Sequence, residues 1–209
     1  MKTTIKIFIF SFVLISFVNA QTATTDPGVV INGVKWATRN VDKPGTFAAK
    51  PQSTGMYYQW NNNIGWASGE SLRSTNGSTE WDPDGGDWED DVKVWATSKN
   101  VCPKGWRIPT EAELKRLFAV ESKWTETPVS GRVFVDGANK LFLPAAGCRE
   151  AHNGKLSLLT SNGYYWSSVA VSDTRAYSLT FRFMDDIYIN ERSSRQTAYS
   201  VRCVADTAK

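Results

Sequence analysis

Few residues of this chain could do catalytic chemistry. His152 is the only histidine, and it lies in the turn-like sequence Ala151-His152-Asn153-Gly154. Zinc sites built from several histidines are therefore excluded, and a catalytic triad would have to use this one side chain. The sequence also lacks the Gly-x-Ser-x-Gly motif that presents a nucleophilic serine. We therefore predict that His152 is a surface turn residue and that the protein is not an enzyme.

An acidic segment, residues 82–91, could supply oxygen ligands to a calcium ion. Its aspartates are separated by proline and glycine, and calcium prefers carboxylate and carbonyl oxygens. The segment is not an EF-hand loop, because glycine falls at its fourth position and Lys93 stands where the twelfth-position glutamate is needed. Charges on a solvated loop are the alternative explanation. Calcium is the one cofactor that the sequence suggests, and its predicted ligands are Asp82, Asp84, Asp87 and Asp90.

Residues 61–91 are rich in Asn, Gly, Ser and Asp, and three tryptophans are scattered through them. A loop of this length is uncommon in a compact domain unless it binds something or is disordered, and the tryptophans argue against disorder. An exposed indole can stack on a sugar ring, whereas a buried indole is simply core. The loop is therefore the favoured contact region, and the predicted ligand-binding residues are Trp66, Trp81, Trp88, Asn61 and Asn62.

The first twenty residues have the pattern of a cleavable export signal. Two lysines precede an apolar run from Ile7 to Val18, and small residues end at Ala20. The run is shorter than the roughly 18 apolar residues that a transmembrane helix needs. The residue directly after the cleavage point is Gln21 and not the cysteine that a lipid anchor needs, and no second hydrophobic span occurs downstream. We predict that residues 1–20 are removed, that residues 21–28 form a flexible leader, and that the mature chain is exported without a membrane span.

The charge of the mature chain limits its partners. Cleavage removes two lysines and no acidic residue, so the formal net charge falls from +3 to +1. A nearly neutral chain has no broad positive field for phosphate groups, which argues against nucleic acid as a partner. Arg192 and Arg195 are expected on a solvated face, and most of the nine tryptophans are expected in the core.

Local patterns predict one helix among many strands. Thr110 and Glu113 form a capping box before Leu114, Leu117 and Phe118, which predicts a helix over residues 111–121. Asn32-Gly33 predicts a type I′ hairpin between residues 29–31 and 34–38. A second hairpin with a five-residue loop is predicted between residues 133–135 and 141–143. The remaining residues are predicted to form an antiparallel meander. The predicted strands of this meander are 164–169, 176–183, 186–189 and 199–204. The fold class is therefore α+β.

Three cysteines in an exported chain predict one disulfide and one remaining thiol. The residues alone leave three pairings open: Cys102 with Cys148, Cys102 with Cys203, or Cys148 with Cys203.

Four linked motifs carry a resemblance to a known family. They are Cys-Pro-Lys-Gly-Trp-Arg-Ile-Pro-Thr-Glu-Ala-Glu-Leu at 102–114, Leu-Pro-Ala-Ala-Gly at 143–147, Tyr-Trp-Ser-Ser at 165–168 and Ser-Val-Arg-Cys-Val at 200–204. In order and spacing the chain resembles the Fibrobacter succinogenes major paralogous domain. The resemblance implies exported or surface proteins of Gram-negative gut and rumen bacteria, located in the periplasm, in the medium or at the cell surface.

The resemblance also implies a fold. It predicts a single C-type lectin-like domain over residues 29–206, with a twisted antiparallel sheet, the one helix and long irregular loops. In such folds a disulfide joins the segment before the helix to the last strand, which implies pairing of Cys102 with Cys203. Cys148 would then be a buried free thiol.

The function expected from these features is a binding or adhesion module for a glycan or a surface protein. The tripeptides with which lectin-like folds hold a calcium-bridged sugar are missing, and Trp60-Asn61-Asn62 is the nearest match. The alternative is a structural subunit of a surface assembly. A third hypothesis comes from residues 107–113, which are similar to a segment of formylglycine-generating enzymes, but that oxidase chemistry needs a pair of active-site cysteines.

Overall fold

Strands form most of the regular structure. The computed structural model describes residues 24–85, 91–183 and 186–206. Within them there is one α-helix, α1, Glu111–Phe118, and a short 3-10 turn, Thr97–Lys99. The strands in chain order are β1 Val29–Ile31, β2 Val34–Trp36, β3 Tyr57–Tyr58, β4 Gly65–Trp66, β5 Trp106–Arg107, β6 Glu121–Thr125, β7 Gly131–Asp136, β8 Asn139–Pro144, β9 Cys148–Arg149, β10 Leu156–Ser157, β11 Asn162–Ser172, β12 Arg175–Arg182, β13 Ile187–Ser194, β14 Tyr199–Ser200 and β15 Val204–Ala205. The fold is mostly β with one helix, in agreement with the predicted α+β class.

The strands form two larger sheets and two smaller ones. The largest sheet has the order β13-β12-β11-β14-β3-β4, and the next has the order β1-β2-β15-β5. Strands β6, β7 and β8 form a third sheet, and β9 pairs with β10. Strand β14 runs parallel to β11, with Tyr165 opposite Ser200, whereas the other strand pairs are antiparallel. The prediction of a purely antiparallel meander is therefore wrong at this position.

The C-terminal strand predicted over residues 199–204 is divided in two. Tyr199–Ser200 joins the largest sheet, and Val204–Ala205 joins the sheet that contains the N-terminal hairpin. Between these two strands, the Val201 carbonyl oxygen accepts a hydrogen bond from the Val41 amide, and the Cys203 carbonyl oxygen accepts one from the Ala37 amide. The end of the chain therefore ties the two larger sheets together.

The helix begins where the sequence predicts and ends earlier. The Thr110 side chain accepts a hydrogen bond from the Glu113 amide, and the Glu113 carboxylate accepts one from the Thr110 amide at 2.8 Å. The predicted end at residue 121 is wrong, because Glu121 begins β6 and pairs with Val135 of β7. Within the described residues, no helix is long and apolar enough to cross a membrane.

Both predicted hairpins form, but the second has a tighter turn. In the first, Asn32 and Gly33 have the positive φ angles, 46° and 73°, that a type I′ turn requires. In the second, Asp136 pairs with Asn139, so the loop contains two residues and not the predicted five. Gly137 makes this tight turn accessible because it adopts a φ of 58°.

A disulfide joins Cys102 to Cys203, which are 101 residues apart, and Cys148 is free and buried. This is the pairing that the family resemblance implies. Burial raises the pKa of the Cys148 thiol to about 12, and the nearby Glu150 carboxylate adds to the effect. The thiol is therefore protonated at neutral pH.

Backbone carbonyl groups bind three of the arginines that are buried in the described part of the chain. Arg149 is fully buried; its guanidinium donates to the carbonyl oxygens of Ala67, Gly69 and Gly154 at 2.6 to 3.0 Å. Arg202 is also buried and donates to the carbonyl oxygens of Ala37 and Phe142 and to Asn40 Oδ1. Buried carbonyl groups of irregular segments need such donors, because no neighbouring strand supplies them.

Arg195 is the third of these buried arginines, and its predicted solvated position is wrong. It is 6% exposed and donates to the carbonyl oxygens of Val92 and Arg175. Its guanidinium carbon also lies 4.2 Å from the centre of the Trp60 ring, a cation–π contact. The side chain therefore holds the segment around Val92 against the largest sheet.

Candidate functional site

The predicted tryptophan platform is largely turned inward. Trp66 is 3% exposed and contacts the half-buried Trp81 ring, with 4.9 Å between ring centroids. The Trp81 indole N–H donates to the Ala151 carbonyl oxygen at 2.7 Å. Gly154, at positive φ, lies against the same ring so closely that a Cβ there would come within 2.5 Å of it. These contacts contradict a stacking role for Trp66 and occupy Trp81 on two sides; Trp88 lies outside the described residues.

The two predicted asparagines shape the backbone. Asn61 is 7% exposed and adopts a φ of 59°, and its side-chain oxygen accepts a hydrogen bond from the Ala96 amide at 2.8 Å. Asn62 is 9% exposed; it accepts from the Ile64 amide and donates to the Gly85 carbonyl oxygen. Both amides are therefore used within the protein, and Asn61 in particular positions the segment that begins at residue 94.

A small pocket of about 70 Å³ brings some of the predicted site residues together. Asn62, Trp66 and Asp82 line it, beside the carboxylate of Glu80 and the amide of Gln59. Its volume gives room for a few water molecules, each of which takes up about 30 Å³ in the liquid. The pocket is too small to hold a sugar ring.

The predicted calcium ligands are only partly described by the structure. Asp82 and Asp84 are exposed, and the Asp82 carboxylate accepts a hydrogen bond from the Asp84 amide at 3.0 Å. Asp87 and Asp90 lie outside the described residues. In the part of the chain that the structure describes, no three His, Cys, Asp or Glu side chains are grouped as metal ligands. The calcium site stays a prediction.

A larger pocket of about 430 Å³, named here the disulfide-side pocket, lies elsewhere in the fold. Its volume is within the range of about 300 to 1,000 Å³ that is typical of small-ligand sites. One wall is the segment 94–100, and the other is the junction between β5 and α1. The lining residues are Val94, Trp95, Thr97 and Asn100 on the first wall, Arg107, Ile108 and Thr110 on the second, and Ser168 and Asp206 between them.

Backbone hydrogen bonds hold the two walls of the disulfide-side pocket together. The Trp95 amide donates to the Ser168 carbonyl oxygen at 2.8 Å, and the Ser168 amide donates to the Pro109 carbonyl oxygen at 2.7 Å. On the other side, the Asp206 amide donates to the Gly105 carbonyl oxygen at 2.9 Å. Ser168 on β11 thus links both walls, and the disulfide connects the first wall to the strand that leads to Asp206.

An ion pair lies in the second wall. The Arg107 guanidinium binds both carboxylate oxygens of Glu113, at 2.8 and 2.7 Å, and its Nε lies 3.9 Å from the Asp206 carboxylate. Burial by itself would raise the pKa of Glu113, but the hydrogen bonds from Arg107 and Thr110 outweigh burial and lower it. The hydrogen bond to Glu113 in turn raises the pKa of Arg107. Both groups are therefore charged at neutral pH, and their charges balance.

We expect a Glu113→Gln variant to be about 1 to 2 kcal/mol less stable than the parent at pH 7, because it loses an ion pair and part of the helix cap. The folded-state pKa of Glu113 lies below its ordinary value of 4.5. Its stabilising contribution is therefore complete above about pH 4.5 and is lost as the pH falls through the folded-state pKa. Urea unfolding at pH 7 and pH 3 measures both effects.

The control for this prediction is Glu121→Gln, which changes an exposed glutamate at the start of β6. It should leave the acid dependence of stability unchanged. The Glu113→Gln variant should keep part of that dependence, because hydrogen bonds also lower the pKa of Asp26 against its burial. Equal losses of stability for the parent and Glu113→Gln between pH 7 and pH 3 would contradict the prediction.

The lining residues of the disulfide-side pocket were not predicted as site residues. Three of the four family-like motifs nevertheless meet there: the segment 102–114 supplies Arg107, Ile108 and Thr110, the Tyr-Trp-Ser-Ser motif ends at Ser168, and the segment 200–204 leads to Asp206. The convergence of these motifs is a signal that could have indicated the pocket. Val94 and Thr97 lie in no motif, so the sequence carried no signal for them.

Comparison with known proteins gives no relative: no family model, no curated protein and no solved structure matches the chain.

Proposed function

We propose that this protein is an exported, non-catalytic binding or adhesion module that holds a glycan or a segment of a surface protein in the disulfide-side pocket. The observation that carries the proposal is the pocket itself, about 430 Å³ in volume, with the apolar residues Val94, Trp95 and Ile108 beside hydroxyl and carboxylate groups. An apolar surface with a few convergent polar groups is the usual composition of a ligand site.

The groups available for catalysis favour binding over chemistry. In the wall of the pocket, Arg107, Glu113 and Thr110 are bound to one another. His152 lies in an exposed turn and does not line the pocket. Its Nε2 atom lies 3.8 Å from the carboxylate of Glu150. The oxidase hypothesis needs two reactive cysteines, whereas Cys102 and Cys203 form the disulfide and Cys148 has a raised pKa. This hypothesis therefore ranks third.

The proposal includes a C-type lectin-like fold and export from a Gram-negative cell. The lectin-like fold is supported by the meeting of the chain's two terminal regions in one sheet, where β15 pairs with β2. It is also supported by the disulfide from the segment before α1 to the end of the chain. Export is supported by the signal-like pattern of residues 1–20 and by the disulfide, since disulfides persist in oxidising compartments.

A second candidate, a structural subunit of a surface assembly, is favoured by exposed apolar side chains on neighbouring segments. The Phe183 amide donates to Ser161, the Thr160 amide to Ala145, and the Ala145 amide to Ser130, so these segments lie side by side. They expose Val129, Leu158, Leu159 and Phe183 by 39 to 50%. Exposed apolar clusters often mark protein contacts. A stoichiometric protein partner that ignores the disulfide-side pocket would favour this candidate.

The proposed function predicts that Val94→Arg abolishes ligand binding, because a long charged side chain would occupy the pocket mouth. Val94 is 58% exposed, so the substitution should not disturb the core. The parent and the variant are tested against an immobilised glycan array and an immobilised peptide array. We expect binding on one array and a loss of more than tenfold in affinity with Val94→Arg.

The matched control is Val171→Arg, which changes another exposed valine of the same region that does not line the pocket. It should bind like the parent, and all three proteins should have the same melting temperature within a few degrees. Binding that survives Val94→Arg, or the absence of binding on both arrays, would contradict the proposed function.

A further inference from the structure

The small pocket of about 70 Å³, named here the acidic pocket, lies between residues 59–66 and residues 76–82. Its charged lining residues are Glu80 and Asp82. No lysine or arginine lines it, and neither carboxylate forms an ion pair with a described residue. Two carboxylates on a surface loop are common, but the buried amide beside them, that of Gln59, is not.

Gln59 supplies an unpaired acceptor to the acidic pocket. It is 1% exposed, and its amide nitrogen donates to the carbonyl oxygens of Asp82 and Gln196 at 2.8 and 3.1 Å. Its side-chain oxygen, Oε1, makes no hydrogen bond within the described residues, although Gln59 lines the pocket. Buried polar atoms almost always have a partner. The free Oε1 atom therefore indicates that a hydrogen-bond donor enters the pocket.

The other polar side chains of the acidic pocket are largely used within the protein. The Ser78 hydroxyl donates to the Glu80 carbonyl oxygen and accepts from the Glu80 amide. Asn62 uses both ends of its amide for backbone groups, and Asn76 keeps only its amide nitrogen, on an exposed residue. The Trp66 indole N–H has no partner but is buried out of reach of solvent. The groups left for a ligand are therefore mainly acceptors: Gln59 Oε1 and the carboxylates of Glu80 and Asp82.

Hydrogen bonds fix the two walls of the acidic pocket. The Thr75 amide donates to the Gly65 carbonyl oxygen at 2.9 Å, and the Gly65 amide donates to the Thr75 hydroxyl at 3.0 Å. The hydrogen bond from Gln59 to the Asp82 carbonyl oxygen joins the walls at a second point. A site that is ordered before binding loses little conformational entropy when it binds. The pocket therefore suits a ligand that makes only a few contacts.

A primary ammonium group matches the acidic pocket in charge, donors and size. It carries one positive charge and three N–H donors, and it has no acceptor. It is a compact point charge, whereas a guanidinium is a wider planar fork that favours bidentate pairing with one carboxylate. Ile64 and Trp66 also line the pocket, so the aliphatic stem of the ammonium group meets apolar surface there.

We propose that the acidic pocket binds a primary ammonium group on an aliphatic stem, as presented by an exposed lysine side chain of a partner protein. Gln59 Oε1, Glu80 and Asp82 each accept one ammonium N–H group, and Ile64 and Trp66 contact the stem. The volume of about 70 Å³ admits the end of one side chain, so the remainder of the partner lies outside. This contact is separate from the disulfide-side pocket and does not depend on the ligand of that pocket.

The test is an NMR titration of the ¹⁵N-labelled protein, in EDTA, with N-acetyl-lysine methylamide, which has an ε-ammonium group but no α-ammonium group. We expect saturable shifts for the amides of residues 62–66 and 76–82 and for the Trp66 indole N–H. The affinity should fall at high salt, because the contact is electrostatic. The same compound acetylated at the ε-nitrogen keeps the stem but has no charge, and it should cause no saturable shift.

Alanine amide distinguishes a lysine side chain from a chain N-terminus, because it offers only an α-ammonium group. It should bind about tenfold more weakly than the lysine compound, since it lacks the methylene stem that contacts Ile64 and Trp66. N-acetyl-arginine methylamide should also bind more weakly, because its guanidinium is too wide for the pocket. Calcium chloride, titrated without EDTA, tests a metal ion as the alternative cation.

Two variants test the acceptors of the acidic pocket. Glu80→Gln and Asp82→Asn each remove one negative charge from an exposed residue and keep an oxygen acceptor, so the fold should be unaffected. Each should weaken binding of the lysine compound about threefold or more, and the two together about tenfold. The matched control is Asp84→Asn, which changes an exposed aspartate that does not line the pocket. It should bind like the parent.

Several results would overturn the proposal. Equal shifts with the free and the ε-acetylated lysine compounds, or an unchanged affinity of the double variant, would exclude binding of the ammonium group. Shifts of the same amides with calcium and none with the lysine compound would assign the pocket to a metal ion. Tighter binding of alanine amide or of the arginine compound would overturn the assignment to a lysine side chain.

Discussion

Replacing Cys102 and Cys203 together with alanine is expected to lower the free energy of unfolding by about 4 to 5 kcal/mol. The bond joins cysteines 101 residues apart in sequence. In the chain-entropy model, closing a loop of about 100 residues stabilises the folded state by about 4.7 kcal/mol, because it restricts the unfolded chain. Urea unfolding followed by tryptophan fluorescence measures the difference under non-reducing conditions.

The same substitution should also loosen the disulfide-side pocket. Cys102 follows the wall formed by residues 94–100, and Cys203 precedes β15 and Asp206. We therefore expect faster amide hydrogen exchange in both segments and weaker ligand binding. Cys148→Ala is the control; it removes a buried sulfur but no covalent link and should cost about 1 kcal/mol. A double variant within 1 kcal/mol of the parent, or peptide mapping that pairs Cys148, would refute the prediction.

Replacing Arg149 with leucine is expected to cost about 3 to 5 kcal/mol of stability. The substitution leaves the carbonyl oxygens of Ala67, Gly69 and Gly154 without their donor. Each unsatisfied buried acceptor costs about 1 to 3 kcal/mol, and local relaxation recovers part of the sum. Arg149→Lys should cost about 1 to 3 kcal/mol, because one ammonium group cannot reproduce the planar fork of the guanidinium.

The effect of Arg149 should be local as well as global. The Arg149 guanidinium donates hydrogen bonds to the segment after β4 and to Gly154, so it holds these two segments together. Gly154 in turn lies against the Trp81 ring. We therefore expect residues 65–69 to lose hydrogen-exchange protection in Arg149→Lys. Arg192→Leu is the matched control, since Arg192 is exposed; its stability should stay within about 0.5 kcal/mol of the parent. Similar unfolding midpoints for the Arg149 and Arg192 variants would rule out the proposed role of the buried guanidinium.

The buried arginines show why charge alone is a poor guide to exposure. Arg192 and Arg195 are three residues apart in a polar stretch, and the sequence predicts a solvated position for both. Arg195 is buried because the segment around Val92 folds over it and Trp60 covers its guanidinium. Such a burial depends on carbonyl groups from distant, irregular segments, which leave no pattern around the arginine itself.

Elements specified by neighbouring residues were predicted well. Thr110 and Glu113 set the start of α1, and Asn32 and Gly33 set the first hairpin, because a capping box and a type I′ turn each depend on a few consecutive residues. The end of α1 was missed because pairing of Glu121 with β7 overrides the continuing helical pattern. The prediction of the disulfide came from the family resemblance, since the residues alone left three pairings open.

The sequence by itself determined the α+β class, the helix start and the first hairpin. The pattern of residues 1–20 predicts an export signal, whose removal would leave a chain of nearly neutral charge, and both stay predictions. Only the tertiary structure decided which side chains line the disulfide-side pocket. The loop tryptophan Trp66 is buried, whereas Thr97, Ser168 and Asp206 meet at one pocket although more than 100 residues separate the first from the last. The reason is physical: local patterns act over a few residues, but the walls of this pocket are joined by a disulfide and by hydrogen bonds between distant segments.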